Sequence, residues 1–273
     1  NDLPTVAEII DLEVKGRTHF IRRACLVGMD ELYQTNPSGA LQLDDEVLMR
    51  LVVFCLAHHV GDDPTGNPPW FIALLRERPE MVAEVLTTYA LAMIRAGKEH
   101  IAGPYSLADD DAYAEVARIA LPALLEGFPL RVRKNQLGNT LGPLLKGALR
   151  YLDKKVLGSM IERKLGQSSM DSAQRVYWLG CGLRIDANAY EAALAGHLGK
   201  SGVRKRYLAN FLYSCGLRQL PDAALPETAL ALLIEMFAPD CSPERPRGAF
   251  RVTRAMNTAD LVRSLIDILG GRP

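Results

Sequence analysis

The sequence contains no window approaching the roughly 18 uninterrupted apolar residues that a membrane-spanning helix requires. Residues 1–16 are mixed and charged throughout, so no secretory leader is expected. No stretch of six residues alternates cleanly between apolar and polar, which argues against half-buried strands. Cysteine is sparse. The five (Cys25, Cys55, Cys181, Cys215 and Cys241) are odd in number, and none forms a CxxC pair. A disulfide framework is therefore not the organising principle. The first four lie in apolar stretches, where a free thiol behaves as a small hydrophobe. That usage fits a reducing compartment, and a cytoplasmic location is expected. Catalytic signatures are missing as well. There is no Gly-x-Ser-x-Gly, no HExxH, no Gly-x-x-x-x-Gly-Lys-Ser/Thr, and no Gly-x-Gly-x-x-Gly after a strand. No cofactor is expected. The chain begins with Asn1 rather than Met, which suggests a processed protein or an excised piece of a longer one.

What is present is a globular core and a hidden polarity. Apolar residues make up 48% of the 273, enough to bury a core without staples. The formal charge is zero, from 32 basic and 32 acidic residues. Residues 1–130 hold 10 Lys/Arg against 20 Asp/Glu, whereas residues 131–273 hold 22 against 12. The expected organisation follows that division: an irregular acidic helical part over 1–130 and a regular basic helix-pair repeat part over 131–273, either separate or joined in one continuous domain. The asymmetry implies an acidic partner for the basic half, or attraction between the halves.

Helical periodicity dominates. Val47, Leu48, Leu51, Val52, Cys55 and Leu56 fall on one helix face, behind Asp44 in an N-cap position and ahead of a stop at Gly61. Similar patterns predict helices over 4–14, 18–33, 70–78, 79–96 and 109–126, the last kinked or broken at Pro122. Beyond residue 136 the pattern tightens, with helices over 137–151, 154–165, 172–183, 187–198, 203–215, 226–237 and 258–269. The loops are 35–43, 61–69, 99–108, 128–135, 217–224 and 239–256. Links of a few residues require antiparallel neighbours. Helix starts recur at roughly 31–39 residues per pair, the range of helical solenoids.

The block 172–198, with Arg175, Val176, Trp178 and Leu179 in one helix and Tyr190, Leu194 and Leu198 in the next, resembles HEAT-like or TPR-like repeats. The TPR consensus is not reproduced in successive repeats, so the resemblance is one of architecture and covers about half the chain. Its irregular form is similar to the helical sensor parts of larger bacterial STAND-type regulatory proteins, whose NTPase core is absent here. The resemblance implies an all-α, solenoid-like superhelix of stacked antiparallel helix pairs.

Four groups of residues could carry chemistry. His58, His59, Asp62 and Asp63 mix imidazoles and carboxylates in one short stretch, as a divalent metal site would; a helix C-terminus followed by a polar loop explains them equally. Asp109, Asp110 and Asp111 could hold a cation, or simply cap the following helix. A basic set could follow a phosphate backbone along a rim: Arg131, Arg133 and Lys134; Lys154 and Lys155; Arg204, Lys205 and Arg206 beside Tyr207; and Arg245, Arg247, Arg251 and Arg254 around Phe250. The alternative is a solvated face. Pro68-Pro69-Trp70-Phe71 could present a partner's anchor, although a buried staple suits those side chains better, and Trp178 reads as core. Cys241 is the one cysteine in a polar context.

The function expected is that of a non-enzymatic binding scaffold, or a regulatory helical-repeat module of a larger protein, that recognises a protein partner. Nucleic-acid or polyanion binding through the basic half is the alternative, and a metal-dependent helical enzyme at His58–Asp63 a second. A membrane role and a small-molecule substrate are not expected.

Overall fold

The computed structural model describes residues 3–58, 67–215, 225–238 and 254–270, with backbone alone at 58 and 254–258. Among these residues every regular element is helical and no strand occurs. No helix among them is long and apolar enough to cross a membrane. The chain divides into two compact units, Asn1–Tyr151 and Leu152–Pro273. The division follows residue 151 rather than 130, which places Arg131, Arg133 and Lys134 in the same unit as the acidic N-terminal residues.

The first unit contains α1 (Val6–Val14), α2 (Arg22–Thr35), α3 (Pro37–Leu41), α4 (Asp45–His58), α5 (Pro69–Glu77), α6 (Pro79–Arg95), α7 (Pro104–Asp109), α8 (Ala114–Gly127), α9 (Lys134–Gln136) and α10 (Gly142–Tyr151). Local chemistry sets many of these boundaries. Thr5 and Glu8 form a reciprocal capping box at α1: the Thr5 hydroxyl accepts the Glu8 amide, and the Glu8 carboxylate accepts the Thr5 amide at 2.7 Å. Asp44 accepts the Glu46 amide at 2.9 Å ahead of α4. Prolines open α3, α5, α6 and α7, where their missing N–H costs nothing.

Two helix expectations need correction. Pro122 does not break α8, which runs through it to Gly127. The buried Val116, Ala117, Leu121, Leu124 and Leu125 pack α8 on α6 and α10, and that burial outweighs the lost hydrogen bond. The stretch over 137–151 is also not one uniform helix. Leu137–Leu141 forms a π turn before α10, immediately ahead of Pro143. A widened turn accommodates a ring that would otherwise meet the carbonyl four residues back. Two expected loops likewise contain helix, α3 within 35–43 and most of α7 within 99–108.

The second unit contains α11 (Lys154–Leu165), α12 (Ser172–Ile185), α13 (Ala187–Leu198), α14 (Gly202–Ser214), α15 (Glu227–Phe237) and α16 (Arg254–Gly270). Asp153, Asp171, Asp186 and Ser201 each accept a first-turn amide from the helix that follows. Gly199 ends α13 with φ +48°, a conformation that side-chain-bearing residues seldom adopt. α12 packs against α11, α13 and α14, and α16 against α14 and α15. Every residue of α12 from Val176 to Arg184 is buried.

Close helix approach depends on glycine at particular crossings. A Cβ at Gly147 would lie 2.8 Å from the Leu107 carbonyl oxygen and 3.2 Å from Leu121 Cδ1, where α10 meets α7 and α8. Backbone cannot rotate away as a side chain can, so Gly147→Ala should destabilise by about 1–3 kcal/mol. Gly158, inside α11, has nothing within 4 Å of its would-be Cβ. Gly158→Ala should stabilise by roughly 0.5–1 kcal/mol through helix propensity. Thermal or urea denaturation followed by circular dichroism checks both signs, and a neutral Gly147→Ala would show that this crossing is looser than described.

Candidate functional site

The charged residues singled out in the sequence fall into distinct environments. Of the metal candidate, His58 closes α4 and His59, Asp62 and Asp63 lie outside the described residues, as do Cys241, Arg245, Arg247, Phe250 and Arg251. Arg254 opens α16, and its side chain is likewise not described. No group of three or more metal-ligating side chains occurs among the described residues. The acidic run is consumed by the fold. Asp109 pairs with Lys146 at 2.5 Å, Asp110 caps the 3₁₀ turn before α8 by accepting the Ala112 amide at 2.9 Å, and Asp111 accepts from Arg150 at 2.5 Å. Trp70 and Phe71 are fully buried, and Trp70 Nε1 donates to Asp30 Oδ1 at 2.7 Å. They are core residues and not an exposed anchor; Trp178 is buried as expected.

The basic set separates similarly. Arg131, Arg133 and Lys134 are exposed in the first unit, where the Arg133 guanidinium lies over Gly97. In the second unit Arg204 donates to Ser172 Oγ at 2.9 Å and to the His197 carbonyl at 2.6 Å. Lys205 donates to the Met236 carbonyl at 3.0 Å. Both therefore satisfy free carbonyls near helix ends, a structural task. Arg206 is exposed, with a long bond of 3.4 Å to the Gly202 carbonyl. Lys154 and Lys155 are exposed and line a concavity.

That concavity is the most chemically distinctive place in the second unit. It holds about 370 Å³ and is bordered by Lys154, Lys155, Arg184, Asp186, Asn188 and Leu225. Three helices begin around it: α11 at the two lysines, α13 at Asp186 and Asn188, and α15 beside Leu225. Helix α15 starts without a side-chain cap, since Pro226 has no group to offer. The last turn of α12 brings Arg184 to the wall. Arg184 is only 4% exposed, and its Nε and Nη2 have no hydrogen-bond partner among the described residues. Burial pulls this guanidinium below its ordinary value, opposed by the nearby Cys215 and Cys181. An arginine nevertheless remains charged near neutrality. Sequence reading passed over Arg184 because a cation in the last turn of a helix is ordinary. The available signal was its place between Leu183 and Ile185, at the end of a run with no other charge from Val176 onward.

A second concavity, of about 620 Å³, lies beside α1 and is bordered by Leu3, Glu8, Asp11, Leu12 and His19. Its carboxylates are occupied: Glu8 by Thr5, and Asp11 by Lys15 at 2.5 Å. His19 stacks on Phe20 with ring centroids 4.8 Å apart, and Phe20 is 90% exposed.

No protein-family model, curated protein or solved structure matches this chain.

Among the described cysteines, Cys55, Cys181 and Cys215 are buried and Cys25 is half-buried. Burial pushes the Cys55 thiol up to about 12, and it pushes Cys181 well above its ordinary value. Burial raises the Tyr89 and Tyr113 hydroxyls too. Groups with raised values hold their protons longer in the folded state than in the unfolded state. Their contribution is present below the unfolded value, about 9 for cysteine, and is lost as pH rises towards 12. The melting temperature should thus fall progressively above about pH 9. Alkylation at pH 8 with peptide mapping should leave Cys55, Cys181 and Cys215 unmodified until the protein unfolds; rapid labelling of any of the three in the native state would contradict their burial.

Proposed function

We propose that the chain is a non-enzymatic helical-repeat module that binds a protein partner. The observation that carries this reading is the packing of alternate helices. In the first unit α4 packs on α6, α6 on α8 and α8 on α10; in the second, α12 packs on α14 and α14 on α16. Contact between alternate helices is what a HEAT-like or TPR-like stack would require, and it supports this reading. Such a stack presents a long side-chain surface and needs no catalytic group to act as a scaffold. Phe20, exposed and stacked on the His19 ring that borders a concavity with Leu3 and Leu12, supplies the kind of aromatic anchor a protein partner engages.

Polyanion binding is the second reading, favoured by exposed Lys154, Lys155 and Arg206. Arg204 and Lys205 detract from it, because they are already engaged.

Two measurements test these readings. Under the first, chemical cross-linking followed by capture should recover a defined protein in stoichiometric amount, and Phe20→Ser should weaken that complex at least tenfold without lowering the melting temperature. Unchanged capture by Phe20→Ser would remove the anchor. Under the second, nucleic-acid filter binding should lose affinity steeply as salt rises; flat or absent binding across the series ends it.

A further inference from the structure

The first unit carries a projection and a recess side by side. The projection is Phe20, exposed immediately before α2, with its ring stacked on that of His19. His19 borders the concavity beside α1, so the projecting ring adjoins the recess without lining it. Leu3, Pro4 and Leu12 give the recess apolar walls, and Glu8 and Asp11 give it an acidic border. Both carboxylates are engaged through one oxygen. Glu8 accepts from Thr5 through Oε2, and Asp11 pairs with Lys15 through Oδ2. Glu8 Oε1 and Asp11 Oδ1 have no partner among the described residues. The projection is flanked by the opposite charge. Arg17 lies three residues before Phe20 and Arg23 three after it, both exposed. Neither has a carboxylate partner among the described residues, whereas Arg22 pairs with Glu13. Val27, two turns along α2, continues the exposed apolar surface.

We propose that a second copy of this chain docks here, each copy seating its Phe20 against Leu3 and Leu12 of the other while Arg17 and Arg23 pair with the other's Glu8 and Asp11. This names the partner of the anchor described above and rests on that reading. Charge decides the occupant. The group that complements an acid-bordered apolar recess is an aromatic ring between two free cations, and the same molecule presents one beside that recess. A surface holding both halves of a fit complements itself across a two-fold axis, which uses each half twice and closes the assembly. The recess of about 620 Å³ lies in the range of small-ligand pockets, roughly 300–1,000 Å³, and admits a phenyl ring with arginine stems beside it. One ring and its border fall short of the roughly 800 Å² per partner of a standard interface, so the dimer is of micromolar affinity or weaker.

The test is analytical ultracentrifugation of the whole chain from micromolar to millimolar concentration, at low and high salt. The wild type should show a monomer–dimer equilibrium with no larger species, and high salt should weaken it severalfold by screening the exposed ion pairs. Phe20→Ser should raise the dissociation constant at least tenfold while keeping the helical spectrum and melting temperature. Arg17→Glu/Arg23→Glu should do the same, and so should Asp11→Arg. An equal mixture of those two charge variants should dimerise at least threefold more tightly than either alone, because one copy's reversed charges face the other's. A chain that stays monomeric throughout overturns the self-pairing and leaves the scaffold reading to its own test, the capture of a different protein. A dimer that Phe20→Ser leaves unchanged overturns both the self-pairing and the anchor. Growth beyond the dimer, or a mixture no tighter than its components, also overturns the reciprocal contact.

Discussion

Everything in the second unit is arranged around the need to enclose α12. From Val176 to Arg184 this helix buries residues on every side, including Tyr177, Trp178, Cys181 and Leu183. A helix apolar around its whole circumference cannot rest on a surface and must be surrounded. α11, α13 and α14 provide that enclosure. They can approach closely because α12 carries glycine at the crossings. A Cβ at Gly180 would lie 2.8 Å from the Phe211 ring, and one at Gly182 would lie 2.6 Å from the Tyr190 ring. Enclosure also explains the capped, few-residue links. Asp153, Asp171, Asp186 and Ser201 start each helix at a defined residue, so successive helices turn back promptly onto α12.

The first unit meets a related demand by other means. Its α6 and α8 bury long faces against each other, and α4 and α10 extend the file on either side. Here the sequence was legible where side chains signal their own boundaries and obscure where packing decides. The bounds of α11 and α13 coincide with those expected, because Asp153 and Asp186 cap their starts. Pro122 does not end α8, since a local rule about proline ignores the leucines that hold the helix between its neighbours. The short α3 and α7 went unseen because neither reaches two turns, the least over which a 3.6-residue period can show itself.

The candidate site was half legible for the same reason. Lys154 and Lys155 stand out as a doublet at a helix start. Arg184 does not, because its importance comes from being inside, and only the enclosure of α12 puts it there. Conversely, Arg204 and Lys205 looked like part of a basic rim, yet their donors end on the His197 and Met236 carbonyls. A charge in the sequence is a fact about composition; whether it is free to meet a ligand depends on which carbonyls and carboxylates the fold brings within 3 Å.

Energetics separate these two kinds of arginine. Arg204 makes bonds that the fold needs, so its charge is accounted for by structure. Arg184 makes none among the described residues through Nε or Nη2, and an unsatisfied buried donor costs about 1–3 kcal/mol, more when the group is charged. A methionine would fill much of the same space without that cost, and replacing buried charge by packed apolar volume is often neutral or stabilising. Packing alone therefore does not ask for arginine at this position.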